Sequence, residues 1–314
     1  MSCAKALLGV KTDMKKYKVV FVVLNYMNYD DTAECIESIC ENIDTDRFHI
    51  VLVDNNSPDG SGKKLAEKFS AHKDVTVLLN PDNKGNSEGW NYGICYARQH
   101  FEFDFLSTPD NDTVFIEKEF CKKLEKEYKS SGFAVLGPMI LTPEGRCDAN
   151  PLFDTPYTRE RALYDIKLHE DKIKQLKSGT YKLCRRWRSV ARKFNRSAYS
   201  CPDTRKHRQE DFFLHRQENV VLHGCCFIFS KKFFEKFEKL DVRSFMYAEE
   251  DILYMHVIHE GLKTVYLPDI KIYHKGDRST ARATAGEKAK EIFRSQESIK
   301  AIKGYLSLLD ELGE

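Results

Sequence analysis

The sequence predicts an α/β fold: a mostly parallel, Rossmann-like central sheet with helices on both faces, a basic helical insertion and a C-terminal helix. Three observations carry that expectation. Short, β-branched apolar runs alternate with segments of helical periodicity through the first 110 residues. The runs lack apolar/polar alternation, as expected of strands buried on both faces. Polar residues, Asn25, Asp54, Asn80 and Asp110, follow the runs in turn, and ligands in such sheets gather beyond the carboxyl ends of strands.

Residues 18–25 form the first buried run, and residues 31–43 follow with Ile36, Ile39, Cys40 and Ile43 at helical spacing. Residues 50–54 repeat the strand pattern and complete a βαβ unit. A polar turn over 55–62 leads to a helix with Leu65, Ala66 and Phe69 on one face, then to a strand over 75–79. An Asn- and Gly-rich loop from Asn80 opens a helix ending near His100, just before the strand that runs into Asp110. The organisation expected is an N-terminal extension (1–17), a first α/β half (18–150), a basic helical insertion (151–216), a second half (217–280) and a C-terminal helix (281–314).

With 41% hydrophobic residues, the 314-residue chain can bury a substantial core. Its formal charge of +2 conceals segregation: residues 157–216 hold 17 Lys/Arg against 7 Asp/Glu, a local +10 that leaves −8 elsewhere. Ten cysteines occur without a C-x-x-C pair, which argues against a zinc ribbon or disulfide framework and for reduced thiols in a cytoplasm. No apolar run approaches the ~18 residues of a spanning helix, and no leader with a cleavage site is evident. A secreted or membrane-spanning chain is therefore not expected. Neither G-x-G-x-x-G after the first strand nor G-x-x-x-x-G-K-[ST] occurs, so a phosphate-bearing ligand would have to be held by metal.

The turn after the fourth strand carries Asp110 and Asp112. In extended backbone residues i and i+2 face one side, so both carboxylates can meet one hard cation such as Mg²⁺ or Mn²⁺. Pro109, Asp110 and Asn111 are also ordinary turn formers. The order of motifs favours the metal reading. Residues 20–26, the segment Val53-Asp54-Asn55-Asn56-Ser57, the loop Asn83 to Gly93 with Gly85 and Gly89, and Asp110-Asn111-Asp112, a D-x-D motif, resemble the family-2 glycosyltransferases with a GT-A fold, in particular rhamnosyltransferase-like bacterial enzymes. His223-Gly224 with its following strand, the acids Glu249-Glu250-Asp251 and His274-Lys275-Gly276 extend the resemblance.

That resemblance implies inverting transfer of a sugar from a UDP- or dTDP-sugar to the hydroxyl of a glycan or lipid-linked acceptor, in polysaccharide or glycolipid synthesis. It implies Mg²⁺ or Mn²⁺ on Asp110, Asp112 and His274, nucleotide contacts from Asn25, Asp54, Asn83 and Gly85, and a general base among Glu249, Glu250 and Asp251. Glu250 is the first choice and Asp251 the second. Gly85 is expected where backbone passes close to the ligand. The same acids also suit the start of a helix over 252–259, ended by Gly261.

In the insertion, Leu183, Trp187, Val190, Ala191, Phe194 and Ala198 share one helical face, with Lys and Arg opposite. Such a stripe packs into a core or lies on an anionic membrane; the latter would put a cytoplasmic protein at the membrane's inner face. Residues 287–312 form a second amphipathic helix, for packing or self-association. A sugar-nucleotide pyrophosphorylase should carry a Gly-rich basic loop after the first strand, which residues 25–30 are not. An RNA-binding module lacks supporting aromatics, so no nucleic-acid partner is expected.

Overall fold

The computed structural model describes residues 14–181, 183, 184, 187, 210–243, 245–276 and 286–314. Strands β1 (Lys15–Asn25), β2 (Phe48–Asp54) and β3 (Val75–Leu79) pair in parallel, crossed over by helices α1 (Tyr29–Asn42) and α2 (Ser61–Phe69). Helix α3 (Asn86–His100) then returns the chain to β4 (Phe101–Pro109) on the other side of β1. Alternate side chains of β1 and β2 serve two cores, as period-two backbone requires. Phe21 and Leu52 join α1 and α2 through Ile36, Ile39, Leu65 and Phe69; Val22 and Val53 meet Trp90 and Ile94 of α3.

The second half inverts part of the pattern. Strand β8 (Cys226–Ser230) lies antiparallel between β4 and β6 (Val135–Leu141), and β6 runs parallel to β9 (Thr264–His274). Two short antiparallel strands, β5 (Thr113–Phe115) and β7 (Gln217–Glu218), add to β9. The nine described strands run β3-β2-β1-β4-β8-β6-β9-β5, with β7 also on β9. Four of the eight pairings are antiparallel, so "mostly parallel" fits the N-terminal half and the whole sheet is mixed. The reason is local: β8 and the short strands enter from loops, without the crossover helix that a parallel neighbour needs.

Helix α4 (Phe120–Ser131) covers the sheet, α5 (Arg159–Ser178) opens the insertion, and α6 (Lys231–Lys236) follows β8. Helix α7 (Glu249–His259) precedes β9, and α8 (Glu287–Leu312) ends the chain. Thr158 caps α5, accepting the Arg161 N–H at 3.2 Å, and Gly179 closes it at φ 77°. A third core joins Tyr157 and Ala162 to Ile252 and Met255 of α7 and to Ile302, Tyr305, Leu308 and Leu309 of α8. The apolar face of the last helix is thus accounted for by packing. Leu183 and Trp187, by contrast, are 60% and 67% exposed. Val190, Ala191, Phe194 and Ala198, which completed the expected stripe, lie outside the described residues, as does most of the 1–17 extension. Among the described residues no helix is long and apolar enough to cross a membrane.

Candidate active site

Parallel pairing of β1, β2 and β4 brings their ends to one edge: Asn25 is the register partner of Asp54, and Leu24 bridges Asp110. Three groups of side chains stand along that edge.

The first begins where β4 stops. The Asp110 N–H donates to the Cys225 carbonyl at 2.8 Å and the Thr113 N–H to the Asp110 carbonyl at 3.1 Å, making a tight turn around Asp112. Asn111 turns the other way, its Nδ2 donating to Thr32 Oγ1 at 2.9 Å. Strand β5 then pairs with the end of β9, setting Thr113 opposite His274. This long-range pairing puts His274 Nε2 3.0 Å from Asp112 Oδ1 and 3.8 Å from Asp110 Oδ2. One ligand atom from each residue lies within 4.8 Å of the others. Lys275 fixes the strand end: its N–H donates to the Asp112 carbonyl at 3.1 Å, and its Nζ reaches buried Asp31 at 2.7 Å and also Glu34.

Two carboxylate oxygens and one imidazole nitrogen suit Mg²⁺ or Mn²⁺. Neighbouring ligands on an ion with ~2.1 Å bonds lie roughly 3 Å apart, so these separations need little adjustment. Behind His274, at 6.1 Å between ring centres, stands His223, which the sequence offered only as part of a motif. Burial, then His274, lowers His223 to about 4. Its Nδ1 accepts the Cys225 N–H at 3.1 Å, so the neutral ring carries its hydrogen on Nε2. Buried Asn150 holds this stretch, accepting the His223 N–H at 3.0 Å.

The second group is closed on itself. Asn25 is fully buried; its Nδ2 donates to Asp54 Oδ1 at 2.7 Å and to Ser61 Oγ at 3.0 Å, while its Oδ1 accepts Thr32 Oγ1–H at 2.8 Å. Asp54 Oδ2 accepts the Ser57 N–H at 3.1 Å. Beside it, buried Asn55 donates to Asn83 Oδ1 at 3.1 Å and to the Gly85 carbonyl at 3.2 Å. Gly85 has φ 102°, and a Cβ there would meet the Phe245 carbonyl oxygen at 2.0 Å. One close approach that requires glycine here is to the protein's own backbone at Phe245.

The third group is the acid triplet, which forms the first turn of α7, three residues before the expected helix start. It follows two left-handed residues, Tyr247 at φ 75° and Ala248 at φ 62°. Helical geometry separates the three acids. Asp251 is buried, its Oδ1 accepting the Tyr157 N–H at 2.8 Å. Glu250 lies over Gly224, where a Cβ would come within 2.9 Å of Oε1, next to His223 and Cys225. Glu249 is pushed up to about 8 by burial and then by the charge of Glu250, despite N–H groups of Glu249 and Tyr247 that favour its ionised form.

The family model described as Glycosyl transferase family 2 matches residues 19–238. Among solved structures 435 chains match. One is a crystal structure of TarS 1-349 from S. aureus, 15% identical, with a TM-score of 0.46, covering 92% of this chain and 74% of that one. No curated protein matches the sequence.

Proposed function

The chain belongs to glycosyl transferase family 2, and from that premise we propose that it moves a sugar from a UDP- or dTDP-sugar to an acceptor hydroxyl, inverting the anomeric carbon, in the synthesis of a cell-surface polysaccharide or glycolipid. The observation that carries this reading is the convergence of Asp110, Asp112 and His274 from two distant stretches onto one edge of the sheet. When bound there, Mg²⁺ or Mn²⁺ supplies positive charge against the departing diphosphate. Asn83 and Gly85 line the nucleotide side, and Asn25 and Asp54 hold the strand ends on which it rests.

Glu250 takes the proton from the acceptor hydroxyl as the new bond forms. Asp251 is engaged by the Tyr157 N–H, which supports Glu250 over it. Burial and the neighbouring charge of Glu250 raise Glu249, which favours its protonated form and lets it donate a hydrogen bond. The acceptor is lipid-linked and reached at the inner face of an anionic membrane through the basic insertion; the exposed Leu183 and Trp187 support that contact. Co-sedimentation with anionic vesicles at low salt checks it, and Trp187→Glu should at least halve the bound fraction.

A screen of nucleotide sugars for protection against thermal unfolding, with and without Mn²⁺, tests the central reading. A UDP- or dTDP-sugar should raise the melting temperature only with the ion. No shift with any nucleotide sugar, or equal shifts in EDTA, would overturn it.

A further inference from the structure

We propose that His223 donates a hydrogen bond from Nε2 to a hydroxyl of the transferred sugar, a contact that helps select the donor; this rests on the transfer reading above. The residue is held at its backbone and at its ring. Fully buried Asn150 accepts the His223 N–H at 3.0 Å and donates to the Pro138 carbonyl at 2.7 Å, which ties His223 to β6. His223 Nδ1 accepts the Cys225 N–H at 3.1 Å, so the hydrogen of the ring nitrogens sits on Nε2. Among the described residues no group accepts that hydrogen. His223 is half-buried, as are His274, Gly224 and Glu250 beside it. A donor fixed in place and left unspent in a half-open position is suited to a ligand.

Its place selects the substrate group it meets. On one side the ring lies edge to face with His274, 6.1 Å between centres, and the Asp110 N–H donates to the Cys225 carbonyl at 2.8 Å, so this turn abuts the metal corner. On the other side Gly224 lies under Glu250, where a Cβ would come within 2.9 Å of Oε1. His223 therefore stands between the carboxylates proposed to hold the ion and the carboxylate proposed as base. In an in-line displacement the diphosphate rests on the ion and the acceptor hydroxyl on the base, which leaves the transferred sugar between them. The chemistry agrees. The diphosphate's charge is met by the ion and the acceptor's proton by Glu250, whereas a neutral N–H suits a neutral hydroxyl oxygen.

Two substitutions separate this contact from the ring's structural bond. His223→Asn keeps an amide oxygen where Nδ1 accepts the Cys225 N–H and removes the donor at Nε2; His223→Gln carries an amide N–H out to the Nε2 position and gives up the Cys225 bond. Affinities are measured by calorimetry with Mn²⁺ for UDP, dTDP, UDP-glucose, UDP-galactose, UDP-N-acetylglucosamine, dTDP-glucose and dTDP-rhamnose. For the nucleotide sugar bound most tightly, Kd should rise about tenfold in His223→Asn, the scale of one hydrogen bond, and stay within about threefold of the parent in His223→Gln. Kd of the matching nucleoside diphosphate should be unchanged in both. One monodeoxy analogue of that sugar should bind the parent about tenfold more weakly than the complete nucleotide sugar, and His223→Asn should not distinguish the two.

Should His223→Asn lose its cooperative melting transition, His223→Ser, whose hydroxyl can also take the Cys225 N–H, is read in the same way. Equal weakening of the nucleoside diphosphate would put the ring on the phosphates. Unchanged nucleotide-sugar affinity in His223→Asn, or a loss confined to His223→Gln, would leave the ring a purely structural part. Each of these results overturns the proposal while the transfer reading stands. Absence of binding by every nucleotide and nucleotide sugar would instead remove the transfer reading, and this contact with it.

Discussion

Two polar clusters occupy the same edge of the sheet and are built in opposite ways. Around Asn25 and Asp54, amide, hydroxyl and carboxylate groups answer one another over 2.7 to 3.1 Å, and the cluster is complete as it stands. At Asp110, Asp112 and His274, two carboxylates are brought toward one imidazole. Like charges held that close are eased by a cation. A polar residue beyond a strand end is therefore not a ligand by position alone. One cluster holds the strand ends and the other converges on a single point beyond them, and substitutions in the two clusters should fail differently.

The largest difference is expected at the metal corner. Asp112→Asn should reduce transfer by about 10³-fold, the scale of several kcal/mol of charge stabilisation, while the melting temperature without ligand stays within a degree or two of the parent. Next is the acid triplet, where neighbours should diverge in the same manner. Glu250→Gln should lower turnover by ~10²–10⁴-fold with donor affinity retained. Asp251→Asn, which disturbs the bond to the Tyr157 N–H, should instead cost about 1–3 kcal/mol of stability in denaturant titration. If Asp251→Asn abolishes turnover and Glu250→Gln does not, the base is Asp251.

At the closed cluster, Asn25→Ala takes from Asp54 Oδ1 its Asn25 donor, while Thr32 keeps its bond to the Asn28 carbonyl, and should cost about 1–3 kcal/mol of stability. The Mn²⁺ requirement of transfer should survive. Loss of that requirement would break the contrast between the clusters. A further effect concerns pH. Glu249 lies near 8 in the fold against an ordinary 4.5, so the folded state holds a proton that the unfolded chain releases. The stability contributed is fully present below pH 4.5 and is lost progressively as pH rises to 8. Melting curves should show that decline in the parent and a flatter profile in Glu249→Gln.

How much of this was legible in the sequence depended on the range of the interaction. The buried runs of β1, β2 and β3 and the amphipathic span of α8 declare themselves locally, through periodicity and composition. Helix α5 had local signals as well, Thr158 at one end and Gly179 at the other, yet its weakly apolar face buries only Ala162 and Leu176. Pairing is another matter. That His274 would stand beside Asp112 follows from β5 meeting β9 across more than 150 residues, which residue spacing does not encode; only the family resemblance pointed there. Gly85 was recognised as special for an incomplete reason, because the backbone it must clear, Phe245, comes from a distant loop. The acid triplet looked equivalent as a string and is divided by helical geometry and by Tyr157.

The most direct test is Mn²⁺ binding itself, followed by calorimetry or by the loss of free-ion paramagnetic signal in the presence of UDP. The parent should bind one Mn²⁺ per chain, and Asp112→Asn and His274→Ala should each lose it while Asn25→Ala keeps it. Unchanged stoichiometry and affinity in Asp112→Asn and His274→Ala, or full transfer in EDTA, would contradict the assignment of this corner as the metal site.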